Sequence, residues 1–141
     1  MNEISNSPDL SNLEIPMDAW TQPFWNATAK HELLLPACAD CGHFRWPPGP
    51  FCPCCQSQAT EWRPAGLGRI YSFTVVREPA AKESDSPQLY IPALIEFPAA
   101  DGVRILAAVV NTSPTVVGIG KEVQLSWSRA ANATFPVFHV T

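Results

Sequence analysis

Positive charge is scarce in this chain of 141 residues: nine Lys and Arg face thirteen Asp and Glu, for a formal net charge of −4. A protein that grips a phosphate backbone usually clusters its cations, whereas Lys30, Lys82 and Lys121 are scattered. Nucleic acid is therefore not an expected partner. No apolar run approaches the roughly 20 residues that span a bilayer. The opening residues, Met1 to Asp9, also lack the basic start and apolar stretch of a secretory signal. The expectation is a cytoplasmic protein that does not engage membrane. Gly66-Leu-Gly68 has neither the third glycine nor the following helix of a dinucleotide fingerprint, and no Gly-Lys-Ser/Thr phosphate loop occurs. His31, His43 and His139 lie in unrelated contexts, outside any recognisable nucleophile-and-base pattern. Glu78, Glu96 and Asp101 fall at strand ends or turns. A self-contained active site is not expected.

Cysteine is missing everywhere except between positions 38 and 55, where all five fall. Such an odd, crowded set does not resemble the dispersed, even-numbered framework of a disulfide-stapled secreted domain. Cys38-Ala-Asp-Cys41 and Cys52-Pro-Cys54-Cys55 form two Cys-x-x-Cys turns, each able to aim two sulfurs at one centre. Four thiolates in a tetrahedron suit zinc, with iron as the runner-up. A redox Cys-x-x-Cys would instead open a helix in a βαβ unit, and here both motifs are flanked by Pro and Gly. The expected ligands are Cys38, Cys41, Cys52 and Cys55. Cys54 could replace Cys55, although the regular spacing favours Cys55. Four protein thiolates leave no open position for substrate, so the role expected of the metal is structural.

Around this site the chain reads in three pieces: a tail and short helix (1–32), a metal ribbon (33–65) and a β domain (66–141). Residues 1 to about 15 are polar and aperiodic, which predicts a disordered or extended tail. Thr21 is placed to cap a short helix with Pro23 in its first turn. Trp20, Phe24 and Trp25 are expected to share one face of it, either packed on the β domain or presented to another chain. Leu33-Leu-Leu leads into the first knuckle, Phe44-Arg45-Trp46 returns from it, and Thr60-Glu-Trp-Arg closes the small sheet. Arg45 and Trp46 together could hold a phosphate and stack on a planar ring. They could equally fill the ribbon's own core.

The second half predicts five strands, at residues 70–77, 90–97, 103–110, 122–129 and 135–140. A polar loop over 78–87 follows the first. Pro92 belongs at a strand start or edge, because it cannot donate to a ladder. Val123, Leu125 and Trp127 alternate and should point inward. Five strands without an intervening helix predict a mainly β chain ending in a closed or nearly closed barrel, the OB-fold being the commonest such solution.

The run Cys38-Ala-Asp-Cys41-Gly, an aromatic-x-x-Pro-Pro link, Cys52-Pro-Cys54-Cys55 and Gly68-Arg-Ile-Tyr-Ser-Phe-Thr-Val-Val76, preceded by Phe24-Trp25, resembles the DUF35 family. The resemblance covers roughly residues 18 to 140. It implies an N-terminal helix, a rubredoxin-like zinc ribbon and an OB-fold. It also implies a non-catalytic accessory subunit that assembles with a thiolase-like enzyme, such as a thiolase, ketoacyl synthase or aldolase. Such a subunit supports the complex and helps hold the CoA part of a thioester. The zinc ligands carry over to Cys38, Cys41, Cys52 and Cys55. No CoA-contacting position carries over, so Arg45 and Trp46 as CoA contacts, and Trp20, Phe24 and Trp25 as docking residues, rest on their own chemistry. The alternative from another class is a nucleic-acid-binding zinc-ribbon/OB module, and a third reading is a rubredoxin-like electron carrier.

Overall fold

The structure, a computed structural model, describes residues 3–80, 82 and 86–141. Met1 and Asn2 of the expected tail, and Ala81 and Glu83 to Asp85 of the expected polar loop, lie outside the described residues. The elements are α1 (Gln22–Ala29), β1 (Leu34–Cys38), β2 (Thr60–Pro64), β3 (Gly68–Phe73), β4 (Val76–Glu78), β5 (Gln88–Phe97), β6 (Val103–Val109), β7 (Glu122–Arg129) and β8 (Thr134–His139).

Strands β1 and β2 pair antiparallel as a separate ribbon, with Cys38 opposite Thr60. The remaining strands run in the order β3-β7-β8-β6-β5-β4, and β3 also pairs with β5. That second pairing closes a five-stranded barrel, the OB-fold expected from five strands. The first predicted strand is broken: β3 ends at Phe73, and β4 resumes at Val76 along the same partner, β5. Pro92 lies opposite this break. Contrary to the expected strand start or edge, it sits inside the ten-residue β5, where its carbonyl accepts from Thr74 N–H at 3.0 Å. Its missing donor is tolerated because no continuous strand faces it on that side.

β5 shows why the sheet curls around one core: Leu89, Ile91, Ala93, Ile95 and Phe97 are buried, and the residues between them are half-exposed. Ile70, Ile105, Val109, Val123 and Phe138 complete the interior, and Leu33, Leu35 and Ala65 of the ribbon side join the same cluster. Gly68 is required here, since an added Cβ would lie 2.7 Å from Ile95 Cγ2 and 3.1 Å from Phe97 Cε1. Leu125 corrects the expected inward triad: Val123 is buried, but Leu125 is 38% exposed. β3 covers β7 only at Gly68 and Arg69, so β7 leaves the closed barrel beyond Val123. Trp127 is half-buried and finds its cover by stacking on His31, with ring centroids 5.3 Å apart.

The N-terminal segment takes the extended form. Ser5 is buried, exchanging backbone bonds with Thr112 and Asn111 and donating its hydroxyl to Val109 O at 2.7 Å. Farther along, Asn132 clips Ile15 through both its N–H and its carbonyl. The tail is thus a strap across the barrel. The helix start also differs from expectation. Thr21 occupies the N-cap position, but its hydroxyl makes no cap bond. Asp18 instead shapes the turn that precedes the helix, its carboxylate accepting from Trp20 N–H and Thr21 N–H at 2.9 and 2.8 Å and its backbone carbonyl from Gln22 N–H at 2.9 Å.

Candidate metal centre and the surfaces around it

The two knuckles repeat one another atom for atom. In the first, Gly42 N–H donates to Cys38 O and Cys38 N–H donates to His43 O; in the second, Gln56 N–H donates to Cys52 O and Cys52 N–H donates to Ser57 O. Gly42 and Gln56, each just after the second cysteine of its pair, both take positive φ, at 79° and 62°. This match favours Cys55 over Cys54 at the second pair. Cys55, three residues after Cys52, brings its sulfur into the cluster with Cys38, Cys41 and Cys52, whereas Cys54 lies outside that cluster and donates its backbone N–H to Cys52 Sγ.

The sulfurs of Cys38, Cys41, Cys52 and Cys55 all lie within 4.8 Å of one another. Cys38 and Cys55 are 3.5 Å apart, and Cys41 and Cys52 are 3.6 Å apart. A tetrahedron with metal–sulfur bonds of about 2.3 Å has edges of about 3.8 Å, so the donor set fits a metal ion. The electrostatics agree. The backbone N–H of Cys41, with that of Asp40, draws the Cys38 thiol down to about 6 against the cost of burial. Cys52 is lowered for the matching reason, chiefly by the backbone N–H of Cys55. Cys41 is pushed up to about 12: the backbone N–H of His43 favours its thiolate, but burial and the neighbouring sulfurs outweigh it. Four thiolates this close cannot all be ionised without a cation among them. A dication satisfies what the backbone prepares.

The remaining sequence-predicted residues regroup. Arg45 spends two of its three guanidinium nitrogens on the protein itself. It is 7% exposed, and its Nε and Nη2 donate to Gly49 O at 3.3 and 3.0 Å, with Nη2 also donating to Thr60 Oγ1. It ties the Pro47-Pro48-Gly49-Pro50 link to β2. Trp20 is 44% exposed and lines a shallow cleft of about 340 Å³ with Pro23, Gln58 and Trp62. Phe24 is buried in the protein's own core, which corrects its assignment to a docking face. Its ring meets Trp25 at 4.9 Å and Trp46 at 5.2 Å, both edge-on, so one side chain joins helix to ribbon. Trp20 and Phe24 meet different surroundings because Trp20 precedes the helix and Phe24 lies within it.

Phe24, Trp25 and Trp46 converge on a second, larger cavity of about 610 Å³, whose far wall is Tyr90, Leu106 and Phe135. Sequence reasoning missed this wall. The signal was present in Leu89 to Ile95, a strand apolar on both faces, which implies cover on both. Beside it, His43 Nδ1 lies 3.8 Å from Asp101, whose carboxylate accepts from Phe44 N–H, so the turn after β5 also grips the ribbon. Arg104 lies over the Tyr71 ring at 3.7 Å.

Comparison with known proteins follows this division. The family description "ChsH2, rubredoxin-like zinc ribbon domain" matches residues 25–61, and "ChsH2, C-terminal OB-fold domain" matches residues 62–128. A solved structure titled "Ltp2-ChsH2(DUF35) aldolase" superposes with a TM-score of 0.76 at 30% identity, over 90% of this chain and 98% of that one. The chain belongs to the DUF35 family. A DUF35 domain-containing scaffold protein of Methanocaldococcus jannaschii is 31% identical over 94 residues, which is 65% of this chain and 64% of that protein. A Thermomonospora curvata protein named "Probable enoyl-CoA hydratase alpha subunit" is 37% identical over 120 residues, covering 82% of this chain and 36% of the relative. This DUF35 chain therefore spans about a third of the length of that larger protein. No helix among the described residues is long and apolar enough to cross a membrane.

Proposed function

We propose that this DUF35 chain is a non-catalytic subunit that assembles with a thiolase-like enzyme (thiolase, ketoacyl synthase or aldolase) acting on CoA thioesters. The observation that carries the reading is the likeness to the ChsH2 chain of an Ltp2–ChsH2 aldolase across nearly the full length of both chains. The naming of relatives as scaffold proteins and as a hydratase subunit points the same way. So does the chemistry, because among the described residues the dense cluster of reactive side chains is a set of four sulfurs that a metal would saturate.

Zinc is the proposed metal, held by Cys38, Cys41, Cys52 and Cys55. When bound it supplies a covalent-strength crosslink between the knuckles, and the ribbon, too small for a core of its own, depends on it. Of the two residues expected to meet CoA, Trp46 is half-buried at the large cavity, and Arg45 is buried with Nε and Nη2 bonded to Gly49 and Thr60. The nucleic-acid alternative loses ground on arginine use: Arg63, Arg69 and Arg77 are paired with Glu61, Glu96 and Glu3.

Co-expression of the tagged chain with the products of its flanking genes tests the proposal. Recovery of a stoichiometric thiolase-like enzyme, whose thioester turnover falls when this chain is omitted, is the expected result. Recovery of no such enzyme, with salt-sensitive micromolar binding to single-stranded nucleic acid, would transfer the assignment to the alternative. A colourless protein containing one zinc would set aside iron and electron transfer.

A further inference from the structure

β6 has one paired edge and one largely open edge. On the open side β8 reaches it at a single register pair, Val109 with Phe138, after which the strands splay apart. Which groups of β6 face the opening follows from Pro92. Its carbonyl bonds to Thr74, away from β6, and it pairs with Ala108. In an antiparallel ladder this makes Pro92–Ala108 a pair without mutual hydrogen bonds, and the same holds two residues on at Leu94–Leu106 and Glu96–Arg104. The N–H groups of Arg104, Leu106 and Ala108 therefore point away from β5. Val110, next in the same phase, shows where they point, since its N–H donates to Phe138 O at 2.7 Å. Among the described residues, the N–H groups of Arg104, Leu106 and Ala108 and the carbonyls of Arg104 and Leu106 have no backbone partner.

The open edge runs along the 610 Å³ cavity, which Ile105, Leu106, Ala107 and Ala108 all line. Consecutive residues of a strand line one cavity when it follows the strand's edge, because a face presents only alternate ones. Opposite stand Phe135 and Pro136 of β8, and Trp25 and Trp46 form a third wall. Leu106 is 72% exposed. The edge sequence Val-Arg-Ile-Leu-Ala-Ala carries one charge, at Arg104, and neither a proline nor a strand-breaking bulge. Natural proteins rarely leave such an edge bare.

We propose that β6 receives an extended segment of the partner enzyme as an added strand, with alternate apolar side chains of that segment seated in the cavity. Main-chain bonds along Arg104 to Ala108 supply the pairing, and the apolar cavity selects the side chains. This rests on the accessory-subunit reading and names the surface through which it acts.

The test uses the intact chain, free and in complex with the thiolase-like enzyme encoded beside it, followed by hydrogen exchange resolved to residues. The amides of Leu106 and Arg104 should exchange rapidly in the free protein and at least ~10-fold more slowly in the complex. Leu106→Pro removes an N–H that β5 does not use. It should weaken assembly by about tenfold or more, whereas Leu106→Ala, which keeps the N–H, should weaken it less. Unchanged zinc content and melting temperature would show that Leu106→Pro still folds. A complex that forms with the β6 amides still exchanging at the free rate overturns the proposal and leaves the accessory-subunit reading standing. Absence of any complex overturns both.

Discussion

Replacing Arg45 by Ala should destabilise the protein rather than merely remove a ligand contact. The guanidinium is buried and bonds to Gly49 O through two nitrogens and to Thr60 Oγ1 through one. Counting Gly49 and Thr60 as one acceptor each, two hydrogen bonds from a charged donor contribute about 1.5–3 kcal/mol apiece. Against this, Nη1 is buried without a partner, and deleting the side chain relieves a desolvation cost of roughly 1–3 kcal/mol. The net loss is roughly 2–3 kcal/mol, which for a chain of this size lowers the melting temperature by about 10 °C. Arg45→Lys keeps the charge but cannot reach both acceptors in one plane, so about half of that fall should remain. Thermal denaturation of the zinc-loaded protein in chelator-free buffer reads the effect. Cobalt substitution would show whether the four-sulfur site persists through its charge-transfer absorption. An Arg45→Ala protein that melts within a degree or two of wild type, yet loses thioester affinity in the complex, would refute this reasoning and restore Arg45 as a ligand contact.

Further outcomes follow from single contacts. Cys55→Ser should abolish stoichiometric zinc binding while Cys54→Ser leaves one zinc per chain, because only Cys55 lies in the four-sulfur cluster; metal analysis of the two purified proteins checks this. Gly68→Ala should cost about 2–3 kcal/mol by overpacking, since Ile95, Phe97 and Val123 leave no room for the methyl, and urea denaturation would register it. Gln56→Gly should stabilise the zinc-loaded chain by about 0.5–1 kcal/mol, because Gln56 holds a left-handed backbone that glycine adopts without a Cβ penalty. Asn132→Ala should cost about 1 kcal/mol and free the strap near Ile15, seen as faster amide exchange at Ile15 with little change at Ser5.

Much of this was legible in the linear chain where the signal is local. Two Cys-x-x-Cys turns fix their own geometry within six residues, so the four cysteines whose sulfurs cluster could be read from spacing, and repetition of the knuckle bonds separates Cys55 from Cys54. Strand positions followed from β-branched runs and turn residues. The failures share one cause: each depended on what lies across the fold. Arg45 beside Trp46 has the chemistry of a phosphate contact, and nothing in sequence reveals that Thr60 and Gly49 converge on its guanidinium. Phe24 reads like its neighbours Trp20 and Trp25 until Trp46, 22 positions away, packs on it. Leu125 keeps the alternation of a buried strand, but β3 parts from β7 too early to cover it.

The sequence by itself determined which four cysteines cluster, the mainly β character and the family, because those rest on residue spacing and on periodicity along one segment. Tertiary structure alone decided how the barrel seam opens. The phase of Pro92 against Ala108, the splay of β8 from β6 and the meeting of Phe24 with Trp46 are relations between distant segments. A strand carries its apolar pattern in its own residues, but which of its edges remains unpaired is set by its neighbours.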